Sequence, residues 1–280
     1  MSPSNSRCQE FLGLHQAGCF VMPNPWDLGS ARVLTSLGFP ALATTSAGFA
    51  WSLGQRDNHV SLEEALSHFR AIASGVDVPV NGDFEGGFAS DPAGVGTHVA
   101  AAAATGLAGL SIEDSTGDPS APLYELSLAV ERIRAARRAI DDSRTEVLLT
   151  GRSEGFIVGR PDLDETIRRL QAYAEAGADC LYAPGIRDRS DIVAVVRAVA
   201  PKPVNVLVNG DFTTVADLAV AGVRRISVGG ALARAAWTGF LEAAREIARR
   251  GTFTGLARAT PSDQLERHFP ESRVPGRDKS

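Results

Sequence analysis

Short apolar runs alternate with helix-like segments along the whole chain, and that alternation constrains the fold more than any other feature. Strand-like runs are read at Cys19–Met22, Ala41–Thr45, Val78–Asp83, Gly109–Glu113, Glu146–Arg152, Cys180–Ala183, Val204–Val208 and Arg225–Val228. Helix-like segments follow at Asp27–Leu37, Ser61–Ser74, Pro92–Thr105, Ser127–Asp141, Asp162–Ala176, Arg189–Val199, Thr214–Ala221 and Ala231–Arg250. Gly38, Gly106, Gly177 and Gly222 stand at helix ends, where the chain asks for positive φ. Eight strands, each followed by a helix, predict an α/β fold of the closed (β/α)8 TIM-barrel type. A doubly wound open sheet is the alternative, but no glycine-rich dinucleotide turn follows the first strand. Residues 1–260 are assigned to the catalytic barrel. A short extra helix at Pro261–His268 and a loose polar tail at Pro270–Ser280 make up 261–280.

The net charge of −5 disfavours nucleic acid and acidic membranes as partners. No run approaches the roughly 18 apolar residues of a membrane span, and Met1–Glu10 lacks the apolar core of a signal peptide. The three cysteines, Cys8, Cys19 and Cys180, have no metal-type spacing and point to a reducing compartment. A cytoplasmic protein is expected.

Charged residues collect where the third, fourth and fifth strands end. Val80-Asn81-Gly82 leads into Asp83-Phe84-Glu85, Ser111-Ile112 into Glu113-Asp114, and Thr150-Gly151 into Arg152-Ser153-Glu154. In a parallel barrel those ends carry the chemistry. Carboxylates gathered there repel one another unless a cation sits among them, and oxygen donors suit Mg²⁺ or Mn²⁺. Asp83, Glu85 and Glu113 are the candidate ligands; Asp83 and Glu85, two apart, share a face if the strand continues. Arg152 is a candidate for a substrate carboxylate, with a structural pair to Glu113 or Glu154 as the competing reading. Ser46, Ala47 and Gly48 form a small-residue turn whose N–H groups can approach an anion. The long connections Gly48–His59 and Ser115–Leu126 are expected to cover a substrate. His59, His68 and His98 are read as surface residues, Cys180 as core, and Arg224-Arg225 either as an anion site or as rim salt bridges.

These stretches resemble the isocitrate lyase/phosphoenolpyruvate mutase superfamily, in its short, mutase-like branch. The matching pieces are Met22–Gly48, Ser52–Asp57, Val80–Phe88, Ser111–Ser115, Thr150–Phe156, Ala176–Gly185 and Gly222–Trp237, in order along most of the chain. The resemblance implies that Asp83 is the principal metal carboxylate and Glu113 another acid of the metal shell. Glu85 replaces the second Asp of the family's Asp-x-Asp. It also implies that Asp57 lies near the metal, that Ser46, Ala47 and Gly48 bind the substrate carboxylate, and that Arg152 binds substrate. A homo-oligomer, dimer or tetramer, is implied as well. The loop Ser115–Leu123 departs from the family: it lacks the Cys, Lys and His of the isocitrate-type lyases and the Lys and Asn of the mutases. Asp57 is therefore the candidate acid/base.

The expected function is a Mg²⁺-dependent carbon–carbon lyase or decarboxylase, acting on a small α-oxo or hydroxy carboxylate through an enolate. The runner-up is a carbon–phosphorus enzyme of the mutase or phosphonopyruvate hydrolase type. A non-catalytic oxoacid-binding homologue competes, since the fourth loop is stripped. A triose-phosphate-type barrel, with a phosphate site at Gly229-Gly230, leaves the acids unexplained.

Overall fold

The structure, a computed structural model, describes residues 3–269. The tail from Pro270 to Ser280 lies outside the described residues. Eight strands form: β1 Phe20–Met22, β2 Leu42–Ala43, β3 Val80–Asp83, β4 Gly109–Glu113, β5 Leu148–Arg152, β6 Cys180–Tyr182, β7 Val204–Leu207 and β8 Arg225–Ser227. They pair in parallel in the order β1-β8-β7-β6-β5-β4-β3-β2. The Ala43 N–H donates to the Pro23 carbonyl at 3.0 Å, stitching β2 to the chain just past β1. The sheet thus curls into the expected (β/α)8 barrel.

The helices are α1 Pro3–Gln16, α2 Leu28–Ser36, α3 Ser46–Ser52, α4 Leu62–Gly75, α5 Pro92–Ala103, α6 Leu126–Ser143, α7 Leu163–Glu175, α8 Arg189–Val199, α9 Val215–Val220, α10 Ala231–Arg250 and α11 Ser262–Glu266. Their starts are written in the sequence: Asp27, Ser61, Asp91, Asp162, Asp188 and Thr214 each cap a helix with a side-chain oxygen. Their stops are too, since Gly38, Gly106, Gly177 and Gly222 adopt φ of 87°, 94°, 105° and 87°. The extra C-terminal helix appears as α11, shorter than the stretch read for it.

Among the elements not anticipated are α1, α3 and a 3-10 turn at Thr254–Arg258. Helix α1 closes the N-terminal mouth of the barrel with Cys8, Phe11 and His15, all buried. These fall at i, i+3 and i+7, a helical stripe diluted by polar neighbours. Helix α3 occupies the start of the long connection after β2, where Thr45 caps it by accepting from the Gly48 N–H. Helix α10 has the opposite peculiarity. Only Ala233 of its 20 residues is buried, while Trp237, Phe240, Leu241 and Ile247 face outward. Among the described residues, no helix is long and apolar enough to cross a membrane.

Candidate active site

The register of the barrel brings the expected residues together. Glu113 lies opposite Arg152 across β4 and β5, and Asp83 ends the neighbouring β3. Arg152 Nη1 sits 3.2 Å from Asp83 Oδ1 and 3.2 Å from Glu113 Oε2, and its Nε bonds Glu154. The Tyr182 ring lies 5.2 Å from the guanidinium carbon. The Ser46 N–H and hydroxyl both donate to Asp83 Oδ2 at 3.0 Å, and the Asp83 N–H donates to Thr44 Oγ1 at 2.9 Å. Ser46, Ala47, Asp57, Asp83 and Arg152 line one cavity of about 180 Å³ that runs into the barrel.

Other expected residues fall elsewhere. Strand β3 stops at Asp83, and Glu85 adopts a left-handed φ of 47°, so alternation along a strand does not apply to this pair. Glu85 and Glu113 line a neighbouring cleft of about 570 Å³ under the β3 and β4 loops, and Asp57 opens onto both spaces. Gly48 is buried inside α3 rather than in an open turn. Its N–H is taken by Thr45 Oγ1 at 3.3 Å, and an added Cβ would lie 2.7 Å from Thr45 Cγ2 and 2.9 Å from Trp26 Cβ. Gly48 thus serves close packing, while Ser46 and Ala47 face the cavity.

The electrostatics are those of acids held together out of water. Burial, then Asp83 and Asp57, push the Glu85 carboxyl up to about 8. Burial raises Glu113 well above the usual carboxylate range against the pull of Arg152, and it raises Glu154 likewise. Burial, then Asp83, raises Asp57. Burial works against the Arg152 charge, but Glu154 and Glu113 hold its pKa well above the ordinary value. Excess negative charge in a desolvated place is what a cation relieves.

Two buried groups brace this rim. Asp114 accepts from the Glu154 N–H at 2.8 Å, from the Tyr173 hydroxyl at 2.6 Å and from Arg169 at 3.2 Å, tying the end of β4 to β5 and α7. Arg132, on α6, donates to the carbonyls of Gly86, Ala89 and Ser90 and lies 4.1 Å over the Tyr124 ring. It thereby fixes the loop that carries Glu85. The connection from Ser115 folds into a small hairpin, with a Ser115–Leu123 bridge and a Thr116 N–H to Pro122 carbonyl bond of 3.0 Å.

Reading the sequence missed most of the inner wall of the cavity, where Asn24, Asn81, Asn205 and Ser227 lie beside Arg225. A signal was present: Asn81, Ser111, Thr150 and Asn205 are single polar residues inside apolar strands. Among the described residues Arg225 makes no rim salt bridge; it lies inside the barrel, buried. His68 is not a surface residue. It is buried on α4, stacked on Phe49 with ring centroids 3.8 Å apart. The Gly229 N–H donates to Asn24 Oδ1 at 2.8 Å and the Val228 N–H to the same atom at 2.9 Å, so Asn24 already takes two of the backbone donors at the end of β8.

Residues 11–248 match the family described as phosphoenolpyruvate phosphomutase. The chain belongs to the phosphoenolpyruvate phosphomutase family. A family relative from Rhodopseudomonas palustris (strain BisB5), named oxaloacetate decarboxylase, is 30% identical over 267 residues, covering 91% of this chain and 90% of that protein. A solved structure from Burkholderia cenocepacia J2315, provisionally named a lyase/mutase, is 46% identical with a TM-score of 0.92, covering 95% of this chain and 97% of that one. A phosphonopyruvate hydrolase solved with oxalate and Mg²⁺ is 25% identical with a TM-score of 0.82, each chain covered over 94%.

The phosphomutase-family site suits a hard divalent ion of a particular kind. Among the described residues, no three His, Cys, Asp or Glu side chains are gathered into a ready-made metal cage. Asp83, Glu85 and Glu113 therefore do not form a closed direct ligand set. The donor chemistry is all oxygen, and the acids are desolvated and mutually repelling. That fits Mg²⁺ or Mn²⁺ held through one or two carboxylates, with water and substrate oxygens completing the shell.

Proposed function

We propose that this family member is a Mg²⁺- or Mn²⁺-dependent carbon–carbon lyase or decarboxylase for a small α-oxo or hydroxy carboxylic acid. The observation that carries the reading is Arg152, a guanidinium ringed by Asp83, Glu113 and Glu154 at the mouth of a cavity of about 180 Å³. That volume suits a small acid. The names of the relatives, oxaloacetate decarboxylase among them, support the same substrate class.

Asp83 would hold the ion directly, steadied by Ser46, and Glu85 and Glu113 would hold its water shell. The ion would supply positive charge to the substrate oxygens that gain electron density as the bond breaks. Arg152 has Nε and Nη1 engaged by acids, which leaves Nη2 for the substrate carboxylate. Ala47, in the first turn of α3, lines the same cavity and would offer its N–H to that carboxylate. With an α-oxo acid, decarboxylation would leave the bond's electron pair in the oxo acid as an enolate. With a hydroxy acid, the hydroxyl would give up its proton as it becomes the carbonyl, and the pair would go to the departing carboxylate fragment. Asp57, raised by burial and opening onto both spaces, would deliver or accept the proton at the carbon that receives the pair. The loops after β2 and β4 would exclude bulk water meanwhile.

Assays with oxaloacetate, substituted malates and phosphonopyruvate, each with Mg²⁺, test the proposal. Turnover of a C–C substrate is expected. Turnover of phosphonopyruvate alone would favour the carbon–phosphorus reading, which the likeness to phosphonopyruvate hydrolase supports. No turnover, with oxalate bound, would favour a non-catalytic binder.

We propose also that the chain assembles as a homo-oligomer, with the apolar face of α10 covered by another copy. Sedimentation velocity of the wild type against Phe240→Glu tests this; a monomeric wild type would refute it.

A further inference from the structure

Arg225 is a buried charge that the proposed chemistry leaves unused. It sits on β8 and is 2% exposed. Its Nε donates to Asn205 Oδ1 at 2.9 Å, its Nη2 to Thr150 Oγ1 at 3.0 Å, and its Nη1 meets His15 Nε2 at 3.4 Å. All three acceptors are neutral. His15 Nδ1 lies 2.7 Å from the Phe11 carbonyl and donates to it, so the nitrogen facing Arg225 carries the lone pair. Burial, then Arg225 itself, lowers the His15 pKa to about 3, which keeps the ring uncharged. No carboxylate pairs with Arg225 among the described residues. A guanidinium has five N–H donors; with three engaged here, two are left. A buried cation among neutral groups is costly until an anion joins it.

The place for that anion is open. Arg225 lines the inner wall of the cavity whose mouth is Arg152, together with Asn81, Ser111, Asn205 and Ser227. Asn81 Oδ1, on a residue 3% exposed, has no hydrogen-bond partner, which a ligand hydroxyl or a water would supply. Depth follows from the strand. Thr150, which holds Arg225, lies two residues before Arg152 on β5. Residues i and i+2 share a face about 7 Å apart. The contact with Thr150 thus sets the Arg225 guanidinium one inward-facing position below Arg152, so a ligand that meets both arginines needs two separate anionic groups.

We propose that Arg225 is a second carboxylate-binding residue, taking the far carboxylate of a dicarboxylic substrate whose near carboxylate lies at Arg152. This rests on the reading of the rim as a carboxylate site. Selectivity for diacids follows, because a monoacid leaves the inner charge unanswered.

Calorimetric titration with Mg²⁺ present tests it, using oxalate, malate and lactate on the wild type, Arg225→Gln and Asn205→Asp. Oxalate reports the rim alone; malate and lactate differ by the far carboxylate. Asn205→Asp places a counter-charge beside Arg225 and keeps a second route open if Arg225→Gln does not fold. The wild type is expected to prefer malate over lactate by about 30-fold, roughly 2 kcal/mol. That preference should fall to within about threefold in either variant, with oxalate affinity unchanged within the same margin. A malate preference that survives in Arg225→Gln or Asn205→Asp, with oxalate still bound, would overturn the inner site alone. Failure of the wild type to bind oxalate would overturn the rim reading beneath it. If chloride stabilises the wild type but not Arg225→Gln, and the malate preference is unaffected by the substitution, Arg225 holds an inorganic anion only and the proposal fails.

Discussion

Arg152 and Arg225 line the same cavity from β5 and β8, yet the two ends of that cavity balance charge in opposite ways. At the mouth, Arg152 meets Asp83, Glu113 and Glu154, three acids around one guanidinium. At the inner end, Arg225 meets Asn205, Thr150 and His15, and none of them carries charge. The mouth has negative charge in excess and the inner end has positive charge in excess. On the proposed reading, a small diacid bound with a divalent cation would answer both. The difference is local, since the strands that carry the two arginines belong to one continuous sheet.

The largest expected effect tests the negative mouth. Exhaustive chelation should abolish turnover, and Mg²⁺ or Mn²⁺ should restore it. Asp83→Ala should lower kcat by roughly 10³-fold, the scale of lost charge stabilisation at a reacting oxygen. Glu85→Ala should cost less, about 10- to 100-fold, as for a group acting through water. The reverse order would reassign the direct ligand. Activity that persists after chelation would remove the cation from the comparison altogether.

Stability separates the arginines next. Arg152→Met leaves the buried Glu154 and the half-buried Asp83 and Glu113 without a counter-ion and should cost about 3–5 kcal/mol in urea unfolding at pH 8. Arg225→Met removes an unanswered charge along with three hydrogen bonds, so the two changes offset and the net cost should be about 1 kcal/mol or less. Equal losses would mean that Arg225 has its counter-charge within the fold.

The mouth was far more legible in the sequence than the inner end. Asp83, Glu113 and Arg152 close apolar runs, and a barrel puts such ends together. Glu85 was misplaced because a left-handed residue, invisible in a string of letters, breaks the alternation after Asp83. Gly48 was misplaced because Thr45 starts a helix where a loop was expected. Arg225 stayed ambiguous because a strand's first residue belongs to either the rim or the interior, depending on where its neighbours begin. His68 was readable in principle: Ala65, His68, Phe69 and Ile72 fall at i, i+3, i+4 and i+7 and are all buried. Arg132 sits in the same kind of stripe with Ala129, Ile133 and Ala136. In both cases a polar residue in an apolar stripe marked a buried side chain with a specific partner.

The neutral character of the inner end carries its own pH signature. His15 titrates near 6.5 when unfolded and near 3 in the fold, lowered by burial and then by Arg225. Above pH 6.5 neither state holds the proton. As pH falls below 6.5 the unfolded chain binds a proton that the native ring refuses, so native stability declines. Between pH 6.5 and 5 the loss from His15 should be about 2 kcal/mol. His68, lowered by burial to about 4, adds a loss of the same sign. His15→Gln should remove the His15 part, read as the difference between variant and wild-type unfolding across that window. An unchanged pH slope would mean that His15 is solvated in the native state, and Arg225 with it.

The smallest expected effect concerns the thiols, and it tests whether any cysteine stands in for the residue that the family resemblance leads one to expect in the loop after β4. Neither Cys8 nor Cys180 lines the cavity or the acidic cleft. Both are buried; burial, then Glu146, pushes the Cys8 thiol up to about 11, and burial raises Cys180 as well. A neutral, enclosed thiol is a weak nucleophile and a poor proton shuttle at neutral pH. Cys8→Ser and Cys180→Ser should therefore leave kcat within about twofold, with a modest stability loss of order 1 kcal/mol for a hydroxyl placed in an apolar site. Cys8 Sγ lies 3.2 Å from the Thr145 carbonyl, which gives a serine there a ready acceptor and makes that variant the milder one. A tenfold fall in kcat for Cys180→Ser, with the unfolding midpoint and circular dichroism unchanged, would place a thiol in the chemistry and take the acid/base role away from Asp57.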